Sequence, residues 1–304
     1  MEFFKILFNT LFMNVVKPNN NVHPEEADEK DSDKKNLFYL ILNGASEKEI
    51  RRYLDAHPEA ATGKNKCGQF PLHYASESIS NTKVLMDILN AHPQAAGKKD
   101  NIGWFPLHHA VAHNKNLEVV KLIFDAHPEA AAKKTKYGHS PLHMAAYNEN
   151  PEVVKLILDA HPEAAAKKDN YGCLPLHRAA NNNNPEVVRM ILDAHPEAVV
   201  KTDNFSWAPL DFANYSCKKD VIEFLESAFE NYMDNAPKEF ICPITQSIMK
   251  DPVVAEDGNT YERADIVQWF EVHDTSPLTN IVLESNNVVP NRALKSLIDS
   301  YMGK

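Results

Sequence analysis

Two short phrases recur along most of this chain, and they limit what it can fold into. Pro-Leu-His occurs four times and is followed by one altered copy, Pro-Leu-Asp, at steps of 34 or 35 residues. Ala-His-Pro recurs with the same spacing. Two independent phrases with one period predict an array of similar units that stack on one another, rather than one globular core. The first phrase begins at Pro71, Pro106, Pro141, Pro175 and Pro209, and the histidines of the second are His57, His92, His127, His161 and His195.

The unit that begins at Pro141 shows what each copy contains. Pro141-Leu142-His143 begins a short helix. Asn150 is suited to cap a second helix, and Pro151 stands at its first position, where a missing N–H costs nothing. Apolar residues follow at helical spacing until Pro162, which a helix cannot continue through. Each unit is therefore predicted to be a pair of helices joined to the next pair by a polar turn.

These units resemble ankyrin repeats. The resemblance covers residues 37–233, or about six units, of which the first and the last are degenerate. It implies a stack of helix pairs, whose histidines in Pro-Leu-His bond to backbone at the turns. Lys218 to Met233 is predicted to be the closing helix, with Asp220 as its cap. The chain departs from the family in lacking threonine before Pro-Leu-His and in ending each second helix with His-Pro.

The N-terminal residues 1–36 have a different character. Residues 1–16 are strongly apolar, whereas residues 18–36 are rich in Asn, Pro and charge and are predicted to be a linker. The apolar segment is a poor signal peptide because Glu2 replaces the expected basic region. Our main expectation is a helix that docks on the fold; contact with a membrane surface, disorder and a signal remain alternatives.

Charge and cysteine content exclude several classes of protein. The formal net charge of −10 argues against a general nucleic-acid binder, and no apolar run reaches the length of a membrane span. The four cysteines are far apart, which excludes a disulfide framework and a thiolate zinc cage. We expect the protein in a reducing compartment, the cytoplasm first and the nucleus as an alternative.

The pattern changes at Pro237. Two β-prone runs flank the turn residues 256–259, so a hairpin is predicted there. A helix is predicted to begin at residues 261–263, followed by a proline-bearing loop. Asn291 is predicted to cap a last helix, whose apolar face is formed by Leu294, Leu297 and Ile298.

This segment closely resembles the U-box, the ubiquitin-ligase relative of the RING finger. The residues that carry the resemblance include Cys242-Pro243-Ile244-Thr245, Asp251-Pro252-Val253, Ile266 with Trp269, and Pro290-Asn291 with Leu294 and Leu297. We therefore divide the chain into residues 1–36, the repeats 37–233 and a U-box at 237–304. The predicted fold is mainly α, an ankyrin-repeat solenoid followed by a small α+β domain.

The U-box segment contains too few metal ligands for a zinc site. It has only Cys242 and His273, whereas one structural zinc needs four ligands. We therefore expect no metal and no cofactor. The loops near residues 241–250 and 274–284 are expected to be held by packing, hydrogen bonds and ion pairs involving Asp251, Glu262 and Arg263.

The resemblance implies a ubiquitin-protein transferase that supplies no nucleophile. Such a domain recruits a ubiquitin-charged conjugating enzyme and acts through proximity, while the repeats bind an unidentified protein substrate. Residue by residue, the contact with the conjugating enzyme maps to Ile244 and Gln246, to Trp269, and to Pro277 and Asn280. Many active members carry a basic residue where this chain has Asn280. The alternative is thus an adaptor or decoy that binds the conjugating enzyme without activating it.

Other candidate sites have weaker support. Cys242 is expected to lie in the core rather than to act in catalysis. His109 and His113 share a helical face with spacing suited to a metal, but no carboxylate or cysteine stands at ligand spacing in the sequence. Lysines recur in the turns between units and are either ordinary solvated residues or a surface for an acidic substrate. The candidates for that surface are Lys99, Lys133, Lys136 and Lys167.

Overall fold

The computed structural model describes residues 36–303 of the 304-residue chain, so the expectations for residues 1–35 lie outside the described residues. Helices dominate, as predicted, and the only sheet within the described range has three short strands. No helix within this range is both long and apolar enough to cross a membrane. The two hydrophobic clusters belong one to the repeat array and one to the C-terminal domain.

Helix pairs form the repeat array. Their bounds are α1 Leu37–Leu42 with α2 Glu47–Ala56, α3 Pro71–Ser78 with α4 Thr82–Ala91, α5 Pro106–His113 with α6 Leu117–Ala126, α7 Pro141–Ala145 with α8 Pro151–Ala160, α9 Pro175–Ala179 with α10 Pro185–Ala194, and α11 Pro209–Tyr215 with α12 Lys219–Asp234. The predicted boundaries of the unit at Pro141 are confirmed: Asn150 caps α8 by accepting a hydrogen bond from the Glu152 N–H, and α8 ends at Ala160.

The His-Pro phrase does more than end a helix. After each second helix of the first five units, the proline begins a short 3-10 helix, of which Pro162–Ala166 is an example. Ala164 and Ala165 in that turn are buried, so the turn belongs to the core between units. The sequence predicted the end of the helix but not this additional turn.

The closing helix differs from its prediction in one respect. α12 begins at Lys219, so its N-cap is Lys218, which makes no side-chain capping bond. Asp220 was predicted as the cap, and that prediction is wrong; Asp220 lies in the first turn, where its charge interacts favourably with the positive end of the helix dipole. The preceding residue Cys217 has a φ of 54°, which sets the direction in which the helix starts.

Two kinds of polar residue join one unit to the next. The histidines of Pro-Leu-His accept the N–H of the residue before the proline, and His143 also bonds through Nε2 to the carbonyl of Cys173 in the following unit, at 3.1 Å. This confirms their predicted structural role. In addition, Asn182 donates its side-chain amide to the carbonyls of Ala146 (2.8 Å) and Asn148 (2.9 Å) in the preceding unit. Asn114 and Asn148 make the same bonds in the preceding units.

Gly138 is required by the close approach of the next turn. Its φ is 80°, and a Cβ there would lie 2.4 Å from the Asn170 side-chain oxygen and 2.7 Å from the Asn170 nitrogen. At the corresponding position of the last unit, the chain has Ser206 with a φ of 64°. No further unit follows, so a side chain is tolerated there.

The C-terminal domain is a small sheet flanked by helices. Its strands are β1 Pro252–Val254, β2 Thr260–Glu262 and β3 Val289–Pro290, in the antiparallel order β2-β1-β3 with Val253 opposite Tyr261. Its helices are α13 Arg263–Phe270 and α14 Arg292–Tyr301. The hairpin and the Asn291 cap are confirmed, since Asn291 accepts the Leu294 N–H at 3.1 Å. The predicted apolar face of α14 is wrong in part, because Leu297 is 59% exposed.

We predict that the buried amide ladder is a major source of stability. Asn182→Ala leaves two buried carbonyls and the Asn184 N–H without their partner, and we expect a loss of about 2–4 kcal/mol in the free energy of unfolding. The adjacent Asn183 is a matched control, because its side chain is exposed and bonds only to other side chains, those of Glu149 and Lys218. Asn183→Ala should change stability by no more than about 0.5 kcal/mol in urea unfolding. Equal losses in the two variants would contradict a special role for the ladder.

A second prediction concerns acid. Burial lowers the pKa of His73, His108, His143 and His177 to about 3, so these side chains are neutral in the folded array. The unfolded chain binds these protons near pH 6.5, so stability is full above that pH and is lost as the pH falls towards 3. At pH 5, protonation of the unfolded chain at each of these histidines should lower the free energy of unfolding by roughly 2 kcal/mol relative to neutral pH.

Hydrogen exchange measured by mass spectrometry between pH 7 and pH 4 tests this effect. The repeats should lose protection at a higher pH than residues 237–303, where the one histidine, His273, is exposed. His143→Gln should make the pH dependence of repeat stability shallower. Unfolding of both halves at one pH, with the same slope in the variant, would contradict this explanation.

Candidate functional site

Two loops of the C-terminal domain have the same local structure. In residues 242–248 the Cys242 N–H donates to the Ser247 carbonyl, and in residues 276–282 the Ser276 N–H donates to the Ile281 carbonyl, each at 2.8 Å. A single β-bridge closes each loop, Ile241 with Ile248 and Thr275 with Val282. Both loops have proline second and threonine fourth. The two loops are therefore equivalent elements on either side of α13.

The fifth residue of each loop adopts a left-handed backbone. Gln246 has a φ of 56° and Asn280 a φ of 59°. Each donates its N–H back to the carbonyl of the first residue of its loop, at 2.8 Å and 2.9 Å. Asparagine is among the residues that tolerate this conformation best. The turn therefore gives a structural reason for Asn280 that is separate from any role in binding.

A carboxylate from β2 holds the first loop. Glu262 accepts the N–H groups of Lys250 (2.5 Å) and Asp251 (3.0 Å). The Arg263 guanidinium donates to the Asp251 carboxylate at 2.6 Å. The predicted roles of Asp251, Glu262 and Arg263 are therefore confirmed. Cys242 is fully buried, and its sulfur accepts the Glu262 N–H at 3.3 Å, so it lies in the core as expected.

The second loop is held by a carboxylate that the sequence did not reveal. Asp257, at the hairpin turn, accepts hydrogen bonds from the Ser276 hydroxyl (2.5 Å) and the Tyr261 hydroxyl (2.7 Å). Burial works against its charged form, but these hydrogen bonds prevail and lower the pKa of Asp257. Burial also raises the pKa of Tyr261 to about 12, so this phenol remains a donor at neutral pH.

An apolar groove lies between the first loop and α13. Its central residues are Ile244 and Trp269, and its lining is completed by Thr245, Asp265, Gln268, Val272 and His273. The Trp269 indole N–H donates to the Thr275 carbonyl at 2.7 Å, which fixes the ring and the start of the second loop together. The His273 ring stacks on the indole with centres 3.9 Å apart and an angle of 14°. Val272 beside it is 76% exposed.

The predicted contact residues are distributed over more than this groove. Ile244 and Trp269 line it together. Pro277 and Asn280 are on the second loop and do not line it, and Asn280 is exposed. Gln246 projects to the other side of the first loop, where it lines a cavity of about 500 Å³ at the junction with the repeats.

Sequence reasoning missed Val272 and His273 as members of the groove. Val272 stands three residues after Trp269, so the helical period did place both on one face. An apolar residue at the exposed end of a helix was the signal that could have identified it. His273 was considered only as a metal ligand, and its stacking on Trp269 depends on the turn that follows α13.

The groove offers binding rather than bond-making chemistry. It contains no cysteine or other side chain placed to attack a substrate, and Cys242 is sealed in the core. Within residues 36–303 no three His, Cys, Asp or Glu side chains are grouped to hold a metal ion. A shallow apolar surface of this kind is suited to a protein partner that inserts one apolar side chain.

The histidines of the second full unit form a closed polar cluster. His109 lies between Asp100, at 3.2 Å, and Glu77, at 3.3 Å. Neither carboxylate stands at metal-ligand spacing in the sequence; stacking brings Glu77 beside His109 from the preceding unit. Burial would lower the pKa of His109, but the two carboxylates outweigh it and raise that pKa. The cluster satisfies its own charges inside the stack.

The predicted substrate-binding lysines lie in the turns between units. They are all exposed, namely Lys99, Lys133, Lys136 and Lys167. The ammonium group of Lys99 lies 5.3 Å from the ring centre of Phe105. Two other lysines of the same turns have structural roles, since Lys134 donates to the Lys168 carbonyl and Lys168 to the Thr202 carbonyl. The four candidates therefore share exposure at the turns, and Lys99 also packs over an aromatic ring.

Comparison with known families covers both halves of the chain. The family model of ankyrin repeats matches residues 32–136, 80–168 and 107–204, which together are more than half of the chain. The family model of the U-box domain matches residues 236–304.

Similar proteins match over the C-terminal domain. U-box domain-containing protein 4 of Oryza sativa subsp. japonica is 50% identical over 70 residues, which are 23% of this chain and 10% of that protein. WD repeat, SAM and U-box domain-containing protein 1 of Homo sapiens is 44% identical over 82 residues, which are 27% of this chain and 17% of that protein. The chain thus spans between 9% and 17% of the length of such relatives, and their other domains are not part of the match.

Proposed function

Because this chain belongs to the ankyrin-repeat proteins and ends in a U-box domain, we propose that it is a ubiquitin-protein ligase. In this proposal the U-box binds a ubiquitin-charged conjugating enzyme and the repeats bind the protein substrate. The groove formed by Ile244 and Trp269 is the observation that carries the proposal. It joins the two elements to which sequence resemblance assigns the contact with the conjugating enzyme.

The proposed reaction needs no nucleophile from this chain. The amine of a substrate lysine attacks the thioester carbonyl of the conjugating enzyme. An isopeptide bond to ubiquitin forms, the thioester breaks, and the cysteine thiolate of the conjugating enzyme leaves. The ligase contributes proximity and orientation, because it holds both reactants on one framework. The fixed rings of Trp269 and His273 suit this role, since a pre-organised surface loses little entropy on binding.

The turns between the repeats are the proposed substrate surface. They hold ten lysines, while their aspartates Asp100, Asp169 and Asp203 are buried and bonded to backbone N–H groups. One apolar residue stands at the tip of successive turns, and Ile102, Tyr137 and Phe205 are 37% to 39% exposed. A row of lysines with apolar tips favours an acidic partner segment that also carries apolar residues. Lys99, Lys133, Lys136 and Lys167 are the proposed contacts.

The adaptor or decoy function is kept as a second candidate because of Asn280. This residue is exposed on the second loop and brings no charge to the position where many U-boxes have a basic one. Its left-handed backbone gives asparagine a structural reason to be there. A protein with this residue would bind the conjugating enzyme yet accelerate transfer weakly.

The placement of the cysteines favours a reducing compartment. The four cysteines are far apart in the sequence, and Cys173 and Cys242 are buried in the two hydrophobic clusters. The cytoplasm is the proposed location, with the nucleus as an alternative.

We predict ubiquitin transfer that depends on the groove. Activating enzyme, ubiquitin, ATP and a panel of conjugating enzymes should give ubiquitinated products with the full chain. Ile244→Ala should lower the rate by about tenfold or more at limiting conjugating enzyme, because it removes an apolar anchor. Leu297→Ala is the matched control, since this leucine is equally apolar, 59% exposed and outside the groove. Binding without transfer across the whole panel would favour the adaptor instead.

Asn280→Arg separates the two candidates further. An added positive charge should raise the transfer rate by about threefold or more if Asn280 limits activation, although arginine is less suited to the left-handed turn. Thr279→Arg places the same charge one residue earlier and controls for general electrostatic attraction. Equal increases in both variants would show that net charge, rather than this position, sets the rate.

We also predict that activity survives chelation. The two loops are held by Glu262 and Asp257 through hydrogen bonds, so removal of divalent zinc should leave them in place. After dialysis against a strong chelator and return of magnesium for ATP, the transfer rate should stay within about twofold. Asp257→Ala should lower the melting temperature of this domain with or without chelator. Loss of activity that zinc restores would contradict a metal-free fold.

A further inference from the structure

The C-terminal domain is attached to the repeats by more than the chain that joins them. The Tyr301 ring, in α14, stacks on Tyr232 at the end of α12, with centres 4.6 Å apart and an angle of 16°. The Tyr301 hydroxyl donates to the Tyr232 carbonyl at 2.6 Å. Phe240 meets the Tyr301 ring edge-on at 5.4 Å. The two contacts with Tyr232 form the first of two attachment points, and Phe240 supports the Tyr301 ring from within the C-terminal domain.

The second attachment point is on a different element of the repeats. Lys201, just after the 3-10 helix Pro196–Val200, donates to the Ser300 carbonyl at 2.7 Å. Gly303 lies directly against the backbone of Val200. A Cβ on Gly303 would be 2.2 Å from the Val200 carbonyl oxygen and 2.8 Å from its carbon, so only glycine allows this approach. Gly303 also has a φ of 76°, which disfavours any other residue.

Two attachment points and a short covalent junction restrict rotation. Residues 235–237 connect the halves, and a connection of that length alone would still permit the domain to turn. Contacts at Tyr232 and at Val200 with Lys201 are made by separate elements, so together they fix the direction of α14. The groove residues take no part in these contacts, so the groove stays open to a partner.

We propose that this docked interface, formed by Val200, Lys201 and Tyr232 on one side and Tyr301 and Gly303 on the other, determines which lysines receive ubiquitin. The proposal rests on the proposed ligase function. A conjugating enzyme held in the groove would keep one orientation to the stack, and only lysines within a narrow zone would meet its thioester. These are positioning residues, because none of them lines the groove.

The lysines of the repeats can report which region the bound conjugating enzyme reaches. Lysines recur at steps of 34 or 35 residues in successive turns, at increasing distance from the junction. Self-modification of the chain therefore reports how far the bound enzyme reaches, without knowledge of the natural substrate. The turn lysines are Lys64, Lys66, Lys98, Lys99, Lys133, Lys134, Lys136, Lys167, Lys168 and Lys201.

The test compares two glycine substitutions. Gly303→Ala forces the interface apart. Gly258→Ala is the matched control, because Gly258 has a similar φ of 80° but nothing within 4 Å of a Cβ. Tyr301→Ala is a second variant that removes the other attachment point. Each full chain is incubated with charged conjugating enzyme at low concentration, and an excess of a tagged Ile244→Ala chain identifies modification between molecules.

Three readouts decide the outcome. Transfer to free lysine should stay within about twofold in every variant, because the groove is unchanged. Mass spectrometry should find at least about twice as many modified turn lysines in Gly303→Ala and Tyr301→Ala as in the unaltered chain and in Gly258→Ala. Hydrogen exchange of residues 198–204 should rise in the same two variants.

The experiment distinguishes failure of this proposal from failure of the proposed ligase function. Unchanged lysine maps, with transfer to free lysine intact, would overturn this proposal and leave the ligase function standing. Absence of transfer to free lysine from the unaltered chain would overturn both.

Discussion

Backbone carbonyls that only a neighbouring unit can satisfy are the constraint on which the array depends. The carbonyls of Ala146 and Asn148 point towards the next unit and receive both protons of one buried amide, that of Asn182. A unit without this neighbour would leave those carbonyls and its apolar face exposed or unpaired. The same dependence passes along the stack and ends at the last unit, where α12 and the turn at Val200 meet the C-terminal domain instead of another repeat.

In the C-terminal domain, carboxylates rather than buried amides hold neighbouring segments in place. Two equivalent loops need to be held at fixed positions beside α13, and the hairpin provides one acidic side chain for each. Glu262 receives the N–H groups of Lys250 and Asp251, just after the first loop, and Asp257 receives the Ser276 hydroxyl of the second. Each interaction is charge-assisted, and the bond between Asp257 and Ser276 is also partly buried, where such bonds contribute most. The groove residues are held at their separation by this framework.

Much of this structure was predictable because the determinants are local. The period, the Asn150 cap, the end of α8 and the hairpin all follow from residues a few positions apart, and the structure confirms them. The cap of α12 was predicted wrongly because the helix follows a left-handed residue, Cys217, and starts two residues earlier than a cap at Asp220 would place it.

What could not be predicted depends on contacts between distant residues. Arg178 is buried and pairs with Asp169 at 2.5 Å, yet the same position in other units holds His109 or Met144, so the repeat gave no signal. The candidate site was likewise predictable only in part. Ile244 and Trp269 follow from the motif, whereas the stacking of His273 and the docking of Tyr301 on Tyr232 require the folded chain.

The most direct test of the central claim is the single-turnover discharge of a pre-charged conjugating enzyme. Ubiquitin thioester is mixed with excess free lysine, with and without the full chain, and the loss of thioester is followed in time. If the chain is a ligase, discharge should accelerate by about tenfold or more at saturating chain, and Ile244→Ala should need a higher concentration to reach that rate. A rate that stays at the basal level while the chain demonstrably binds the charged enzyme would contradict the account.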